Sequence, residues 1–544
     1  MRAFGWKLCI CILGVGLVLT AGCLAGNAGP SLEELQSKAA DGDAEAQYEL
    51  GKKYIYGEEV PQDDGQAFHW FMKSAEQGDA DAQCALGEMY WKGNGVPKDE
   101  KKGFEWIEKA ARQGDANAQY VLGHLFRIGD GVAQDYTQTV QWWTKAAEQD
   151  HAAAQRSLGW MYFEDNGIPQ DYAQAVKWGE MAAEQGLADA QCFLGLLYFE
   201  GKGVPRDYEQ SLRLWTLAAE QEHTVAQRNL FLMYSEGIGI DRDTEQAVAW
   251  LAKAAGNGDA LAQYAFGSMC CEGKDVPKDP KKGLEWIEKA ACQGNAEAQY
   301  GLGDLFREGN DWIDRDYAKA QKWYAKAAEQ GHSLAQCNLG LMFVYGRGIP
   351  KDIGRGMKLL ETSAEQGDAN AQYYLGELYR KGKDIPQDYK LAAEWYAKAA
   401  EQGYAHAPCK LGWMYREGDG VRQNYKQAVK WYTLGAGQGC TSSFSNLGWL
   451  HLTGNGVHQD YGQAAKWYGK AAEQGHAYAQ SQLGTMFMAG KGVPQNSIEA
   501  YAWALLAAPN GYPDLKEALA EKLTTDQITA GELRARELAK ELKK

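Results

Sequence analysis

AEQGDADAQCALGEMYWKGNGVPKD occupies residues 75–99. Close copies return as AEQGLADAQCFLGLLYFEGKGVPRD at 183–207 and AEQGHAYAQSQLGTMFMAGKGVPQN at 472–496. A phrase that recurs at a fixed distance specifies a stack of like units, each touching its neighbours, rather than one large core. We count positions from the glycine of the Leu-Gly pair, taken as 0. It falls at 51, 87, 123, 159, 195, 267, 303, 340, 376, 412, 448 and 484, and Phe231 holds the remaining place. Thirteen copies thus follow at intervals of 36 residues, with one interval of 37 caused by an extra residue in GNDWIDRDY, 309–317.

Each copy reads as two helices joined by a loop. The first stretch, A-x-A-Q-x-x-L-G-x-[LM]-[YF], spaces its apolar residues three to four apart, as in a helix with one buried face. The loop G-x-G-V-P-x-D follows, as in Gly93, Gly95, Val96, Pro97 and Asp99. Its glycines permit positive φ and its proline cannot continue a helix. Its aspartate is placed to cap the next helix by accepting backbone N–H bonds. The second stretch, A-x-x-W-x-x-x-A-A-x-Q-G, ends on a glycine suited to the left-handed position past a helix end. Asp150 and Glu222 replace that glycine, and glutamate tolerates the left-handed region poorly.

Glycine inside a helix costs about 1 kcal/mol relative to alanine, yet it fills position 0 in twelve copies. Tryptophan stands nineteen residues on in eleven: 70, 106, 142, 178, 250, 286, 323 (past the insertion), 395, 431, 467 and 503. A hairpin folded about the loop midpoint brings position 0 opposite +19. The glycine is therefore expected to make room for the indole or for close helix approach, and the tryptophans read as core rather than a ligand box. Leu214 and Leu359 fill the other two places, and Phe231 is expected to crowd Trp250 and disturb the sixth repeat.

This phrase resembles the Sel1-like repeat, a relative of the tetratricopeptide repeat with a longer inter-helix loop. The tetratricopeptide period is 34 residues. The resemblance covers 44–508. It implies an all-α protein, a right-handed αα-solenoid superhelix of thirteen helix-loop-helix repeats with cap helices at both ends. SLEELQSKAADG, 31–42, opens with Ser31 and Glu34 at capping-box spacing and reads as an N-terminal cap helix within 31–43. Residues 509–544 are charged and helical and resemble the C-terminal cap of such arrays, which need polar ends to stay soluble.

Residues 1–22 read as a signal peptide. Arg2 and Lys7 make a cationic start, and LCICILGVGLVLT, 8–20, is an apolar run too short to span a bilayer. LTAGC, 19–23, resembles the lipobox of bacterial lipoproteins, with Cys23 the lipidated residue and 23–30 an anchor and linker. Thr20 departs from that motif, which prefers leucine there. The alternative is ordinary cleavage after Ala25 or Ala28, which leaves a periplasmic or secreted protein. By the lipoprotein resemblance, Leu24 after the cysteine implies the periplasmic face of the outer membrane.

Apolar residues make up 45% of the chain, enough to fill a core and exclude wholesale disorder. A net charge of -16 argues against nucleic acid as a partner. Of the cysteines, Cys84, Cys192, Cys337 and Cys409 share one repeat position and lie too far apart to bridge one another. Cys270, Cys271, Cys292 and Cys440 show no regular partner. All read as small buried or half-buried thiols rather than a disulfide framework or a metal site.

Function is sought where the copies disagree. Positions −3, +1 and +4 vary and share one stripe of the first helix. In the resembled family that helix lines the concave surface, which makes the stripe the floor of a groove. Trp, Tyr and Arg are the usual anchors of protein interfaces. Tyr373, Arg380, Trp413, Arg416 and Trp449 gather within 373–449, and Trp160 and Arg307 occupy the stripe elsewhere. The competing reading packs the aromatic residues sideways against the next repeat and pairs the arginines with nearby acids.

No P-loop, HExxH, GxSxG or CxxC motif occurs, and the Gly-x-Gly stretches recur as hairpin loops. His451 and His458 make a weak metal pair. No catalytic residue, cofactor or metal is expected. The reading that follows is an exported, lipid-anchored scaffold of the bacterial cell envelope, with a protein or peptide in its groove and the membrane held through Cys23. A glycan-binding or polysaccharide-export accessory role is the alternative, because aromatic grooves also suit sugar rings. A third is β-lactam binding or hydrolysis, associated with a branch of the family that has a regular cysteine pair in each repeat, which this chain lacks.

Overall fold

Asp79 shows how each hairpin begins. Its side chain accepts from the Ala82 N–H at 2.7 Å, and the helix Ala80–Lys92 runs until Gly93 ends it at φ 76°. Asp99 caps the partner helix Glu100–Gln113 in the same way, and Gly114 closes that helix at φ 101°. The computed structural model describes residues 31–165 and 167–542, and among these residues 29 α-helices follow one another without a strand. A β-bridge pairs Asn310 with Ile313 in the loop lengthened by the insertion. We call the first helix of each repeat A and the second B. His151, His223, His332 and His476 replace aspartate as the A-helix cap, each accepting a backbone N–H through Nδ1.

The described residues form two units, one ending at Trp286 and the other starting at Ile287. Each is an αα-solenoid segment in which A packs on B of its own repeat and on B of the repeat before. Loops tighten this stack. A Cβ on Gly456, at φ 76°, would sit 2.5 Å from the Tyr425 carbonyl carbon, so the loop of one repeat lies directly on the B-helix start of the previous one.

The glycine at position 0 makes room for a neighbour, but that neighbour is residue +20 and not the tryptophan at +19. A Cβ on Gly51 would meet the Phe71 ring at 2.6 Å, on Gly195 the Trp215 ring at 2.6 Å, and on Gly376 the Tyr396 ring at 2.8 Å. Trp215, Tyr324, Tyr396, Tyr432 and Tyr468, all of this set, are among the largest fully buried side chains. The glycine is kept while the side chain that fills the notch varies from Ile107 and Leu360 to Trp215. In the fourth repeat, +20 is Gly179, and Phe193 from the next repeat fills the space against both Gly159 and Gly179.

The +19 tryptophans are mostly half-buried, with Trp178 and Trp503 the buried exceptions. A lysine three residues on lies over many of these rings, at 4.0 Å for Lys145 on Trp142 and 4.0 Å for Lys398 on Trp395. Phe231 packs against the cluster of Leu251, Ala254 and Ala255. Its helix, Thr224–Glu236, runs unbroken, because +20 there is only a leucine.

The glutamine of A-x-A-Q, at −4, is buried in both units. Gln155 donates from Nε2 to the Ala147 carbonyl at 3.0 Å, at the end of the preceding B helix. Its Oε1 accepts from Gln185, at the end of the next B helix, at 2.8 Å. Gln83, Gln119 and Gln191 repeat both bonds in the first unit, as do Gln299 and Gln372 in the second. One side chain thus links three successive helices. The ladder lapses in repeats eleven and twelve, where Pro408 and Phe444 occupy −4. Gln438, the B-end glutamine whose Nε2 would have donated to such a partner, has its Oε1 buried without a partner among the described residues.

The helix Leu32–Ala40 precedes the first repeat, with Ser31 Oγ accepting from the Glu34 N–H at 3.3 Å. After the last repeat come Asp514–Ala520 and Thr525–Glu541, the latter opened by a Thr524–Gln527 capping box. Leu515 lies on Gly484, and Arg534 bonds Glu499 at 2.7 Å.

Two outcomes are expected. Glu222 stands at φ 62°, where glycine is at ease, so Glu222→Gly raises stability by about 0.5–1 kcal/mol; a lower melting temperature refutes this. Gln155→Leu removes two buried hydrogen bonds and leaves the Ala147 carbonyl with the Asp150 N–H alone and the Gln185 amide with the Asp150 carbonyl alone, with an expected loss of about 1–3 kcal/mol in denaturant titration. Gln185→Ala, which leaves the bond to Ala147 in place, is expected to cost less.

Candidate functional site

Position −3 is an inter-repeat contact. The residue there meets the cap of the next A helix, 31 residues on, or 32 across the insertion. Tyr120 stacks on His151 at 4.9 Å and Tyr300 on His332 at 4.8 Å. Arg228 Nη1 reaches Asp259 Oδ2 at 2.6 Å in a nearly dry pair. Tyr373 keeps the spacing, stacking on Tyr404 at 4.7 Å, although the A helix there starts later and is capped at His406. Arg156 reaches past the Leu187 cap to Asp189 at 2.6 Å.

Arg380 lies 3.1 Å from Glu377, the +1 residue of its own helix. Glu377 is buried and gathers Lys381 at 2.8 Å, Lys410 at 3.4 Å and the Tyr396 hydroxyl at 2.6 Å. Burial works to raise its pKa, but hydrogen bonds from Arg380, Lys381 and Tyr396 and the charge of Lys410 prevail and hold the carboxyl at about 2. Arg307 is paired with Asp304 at 3.1 Å and Glu308 at 2.7 Å. Trp160 lies 4.3 Å from the Phe193 ring.

Trp413, at +1, is half-buried between two core clusters. In repeats eight and ten the +1 acids Asp304 and Glu377 accept from the buried tyrosine at +20. Trp413 cannot, and the Tyr432 hydroxyl is buried with no partner among the described residues. A stranded hydroxyl costs about 1–3 kcal/mol, so this tryptophan is not placed for the stability of its own hairpin.

Arg416 and Trp449 share one place. The guanidinium lies 5.3 Å from the Trp449 ring centroid, donates to Asn446 Oδ1 at 2.7 Å, and donates to Glu417 at 2.6 Å. Together they line a cavity of about 600 Å³ with Tyr425, Ser442, Ser445, His476, Tyr478 and Tyr512. Burial lowers the His476 pKa, and its Nδ1 accepts the Ala479 N–H, so the ring is neutral at pH 7. The cavity therefore offers one cation, one carboxylate, four aromatic rings and short polar groups. It is of a size and make-up that hold a side chain or a short chain segment.

Sequence reasoning found Arg416 and Trp449 but missed Asn446, Ser442, Tyr478 and Tyr512. The last two belong to the thirteenth repeat; no other copy has a tyrosine at the place of Tyr478, and at the place of Tyr512 the tenth copy has Tyr404. Of the remaining stripe residues, Tyr373, Arg380, Trp160 and Arg307 are engaged within the array and Trp413 stands apart from the cavity. Cys23 and the leader lie outside the described residues.

The Sel1 repeat model matches thirteen consecutive segments from 44–79 to 477–512. The chain belongs to the Sel1 repeat family. Its fold is similar to the crystal structure of a protective antigen of uropathogenic Escherichia coli strains displaying an SLR fold. The two share 32% identity over 94% of this chain and 95% of that one, at a TM-score of 0.50. A Sel1 repeat protein from Oxalobacter formigenes shares 34% identity over 58% of this chain and 92% of its own, at a TM-score of 0.50. No curated protein matches the sequence. The Sel1 architecture is that of a protein-interaction scaffold. Among the described residues of this Sel1 array, no helix is long and apolar enough to cross a membrane.

The Glu377 hub gives a pH test. Its folded pKa lies below the ordinary 4.5, so its contribution is full above that value and fades as pH falls toward 2. Glu377→Gln is expected to cost about 2 kcal/mol at pH 7. In urea titrations the gap to the parent protein narrows between pH 4.5 and 2; a gap independent of pH refutes the hub.

Proposed function

We propose that this Sel1 array is an exported, lipid-anchored scaffold of the bacterial cell envelope. Cys23 tethers it to the membrane, and a segment of a protein partner is held in the cavity at Arg416 and Trp449. The observation that carries the binding reading is that cavity. An arginine laid on a tryptophan, with three tyrosines around it, is the residue set that concentrates binding energy at protein interfaces. Planar rings of few rotamers are ordered at little entropic cost. The Arg416 cation suits an acidic or C-terminal carboxylate in the partner. The anchor rests on the cationic start, the short apolar run and the Leu-Thr-Ala-Gly-Cys stretch at 19–23.

In-cell photocrosslinking tests both halves. A photoreactive residue at 416 or 449 is expected to yield one discrete protein adduct, found in the membrane fraction and released from it by Cys23→Ser. The same probe at Glu394 or Lys466, exposed on B helices, is expected to yield none. Adducts from every position, or none from 416 and 449, overturn the reading. Adducts that carry glycan instead of protein establish the alternative, a glycan-binding role.

A further inference from the structure

The contact rule at −3 has a consequence in the eleventh repeat. Position 409 is a −3 residue and position 440, 31 residues later, is the cap of the next A helix, Thr441–Thr453. The same register stacks Tyr373 on Tyr404, pairs Arg228 with Asp259, and sets the Cys337 thiol against Asp368. At 409 and 440 both residues are cysteine, and the two thiols interact directly. Both are free in this structure and neither is fully buried. Cys440 does not cap its helix with a side-chain hydrogen bond, unlike the aspartates and histidines elsewhere. This is also where the glutamine ladder lapses, at Pro408 and Phe444, and where Gln438 Oε1 is buried without a partner among the described residues. The helix pair thus lacks its usual polar link and carries two thiols beside the gap.

We propose that Cys409 and Cys440 form a disulfide on exposure to a small-molecule disulfide oxidant, joining the helix Ala407–Glu417 to the start of Thr441–Thr453. The bond substitutes for the missing ladder. It also fixes the two helices that carry Arg416, Asn446 and Trp449. The chemistry is a pair of exchanges. The Cys440 thiolate attacks one sulfur of oxidised glutathione, and a glutathione thiolate leaves. Cys409 then loses its proton and attacks Sγ of Cys440, and the second glutathione thiolate leaves. The two protons end on the two glutathione thiols. Two cysteines give up two electrons, and one glutathione disulfide accepts them.

The order of events follows from the surroundings. The Cys409 thiol first, then the Ser443 hydroxyl and His406, outweigh burial and lower the Cys440 pKa to about 5. A helix N-terminus acts in the same direction. Cys409 is pushed up by its neighbour and by burial, so Cys440 is the attacking thiol and Cys409 the resolving one.

The full chain, treated with oxidised glutathione, denatured, alkylated and digested, tests this by mass spectrometry. The expected product is a linked pair of peptides containing Cys409 and Cys440, two hydrogens lighter than their sum. Alkylation of both is lost, while Cys84, Cys192 and Cys337 remain alkylated. Cys409→Ser abolishes the linked pair and leaves glutathione on Cys440. Cys440→Asp restores the cap residue found opposite Cys337 and abolishes the pair without a cavity, so its loss is not a folding defect. Oxidised parent protein is expected to melt above reduced, a difference that Cys409→Ser lacks. Full alkylation of Cys409 and Cys440 after oxidation, or linkage of either to another cysteine, overturns the proposal.

Discussion

The array depends on a buried glutamine. A stack of two-helix units has a weak point wherever one unit meets the next, because apolar packing fixes distance better than register. The glutamine at −4 supplies register. It accepts from one B helix and donates to another, and it sits where water cannot compete. A slip of one repeat against the next breaks the bond to the preceding B helix in a dry setting, where lost polar contacts cost most, while the bond from its own B helix holds the hairpin together. The bond to the preceding B helix falls on a backbone carbonyl near the helix end that also accepts from the N–H three residues on, as Ala147 does from Asp150, so the amide takes up its second acceptor position. The alanines around it let the helices close far enough for the amide to reach.

With register fixed, each hairpin needs only to fill one notch. The glycine at 0 and the residue at +20 do so jointly, and the chain varies the pair from Gly–Ile to Gly–Trp while keeping the glycine. The hydroxyl of a tyrosine in that notch must then be answered, which Asp304 and Glu377 do. Charges near Glu377 draw three cations to one carboxylate, so part of the variable stripe is spent on internal pairing. Arginine on a repeat surface is therefore poor evidence of binding until its partners are known.

Repeats eleven and twelve break several of these habits together. The ladder is absent, the A helix starts late at Ala407 without a side-chain cap, and a tryptophan replaces the acid that would answer Tyr432. Each departure costs stability. Their coincidence beside a cavity lined by Arg416 and Trp449 gives the array one place unlike the rest, which a scaffold needs to select a partner. The cysteine pair lies at the same gap, so the proposed disulfide and the proposed binding site share a structural element.

Period, helix order, loop chemistry and caps were all legible in the sequence, because each depends on residues within one 36-residue copy. The left-handed positions of Asp150 and Glu222 follow from the same local rules. What the sequence could not settle is contact across copies. Counting along a hairpin placed the glycine opposite +19, and the structure moves it by one residue. On a helix one residue is a rotation of about 100°, and that rotation is set by packing rather than by spacing. It turns the tryptophans half outward and puts an unremarkable, variable residue in the core. The sequence marked Gln155 as constant without showing its partners. It named Arg416 and Trp449 but not Asn446, Tyr478 or Tyr512, and it left Cys440 without a mate. Gln185 from Gln155, Asn446 and Trp449 from Arg416, and Cys440 from Cys409 all lie 30 or more residues away, and only the packing of helices within and between hairpins brings them together.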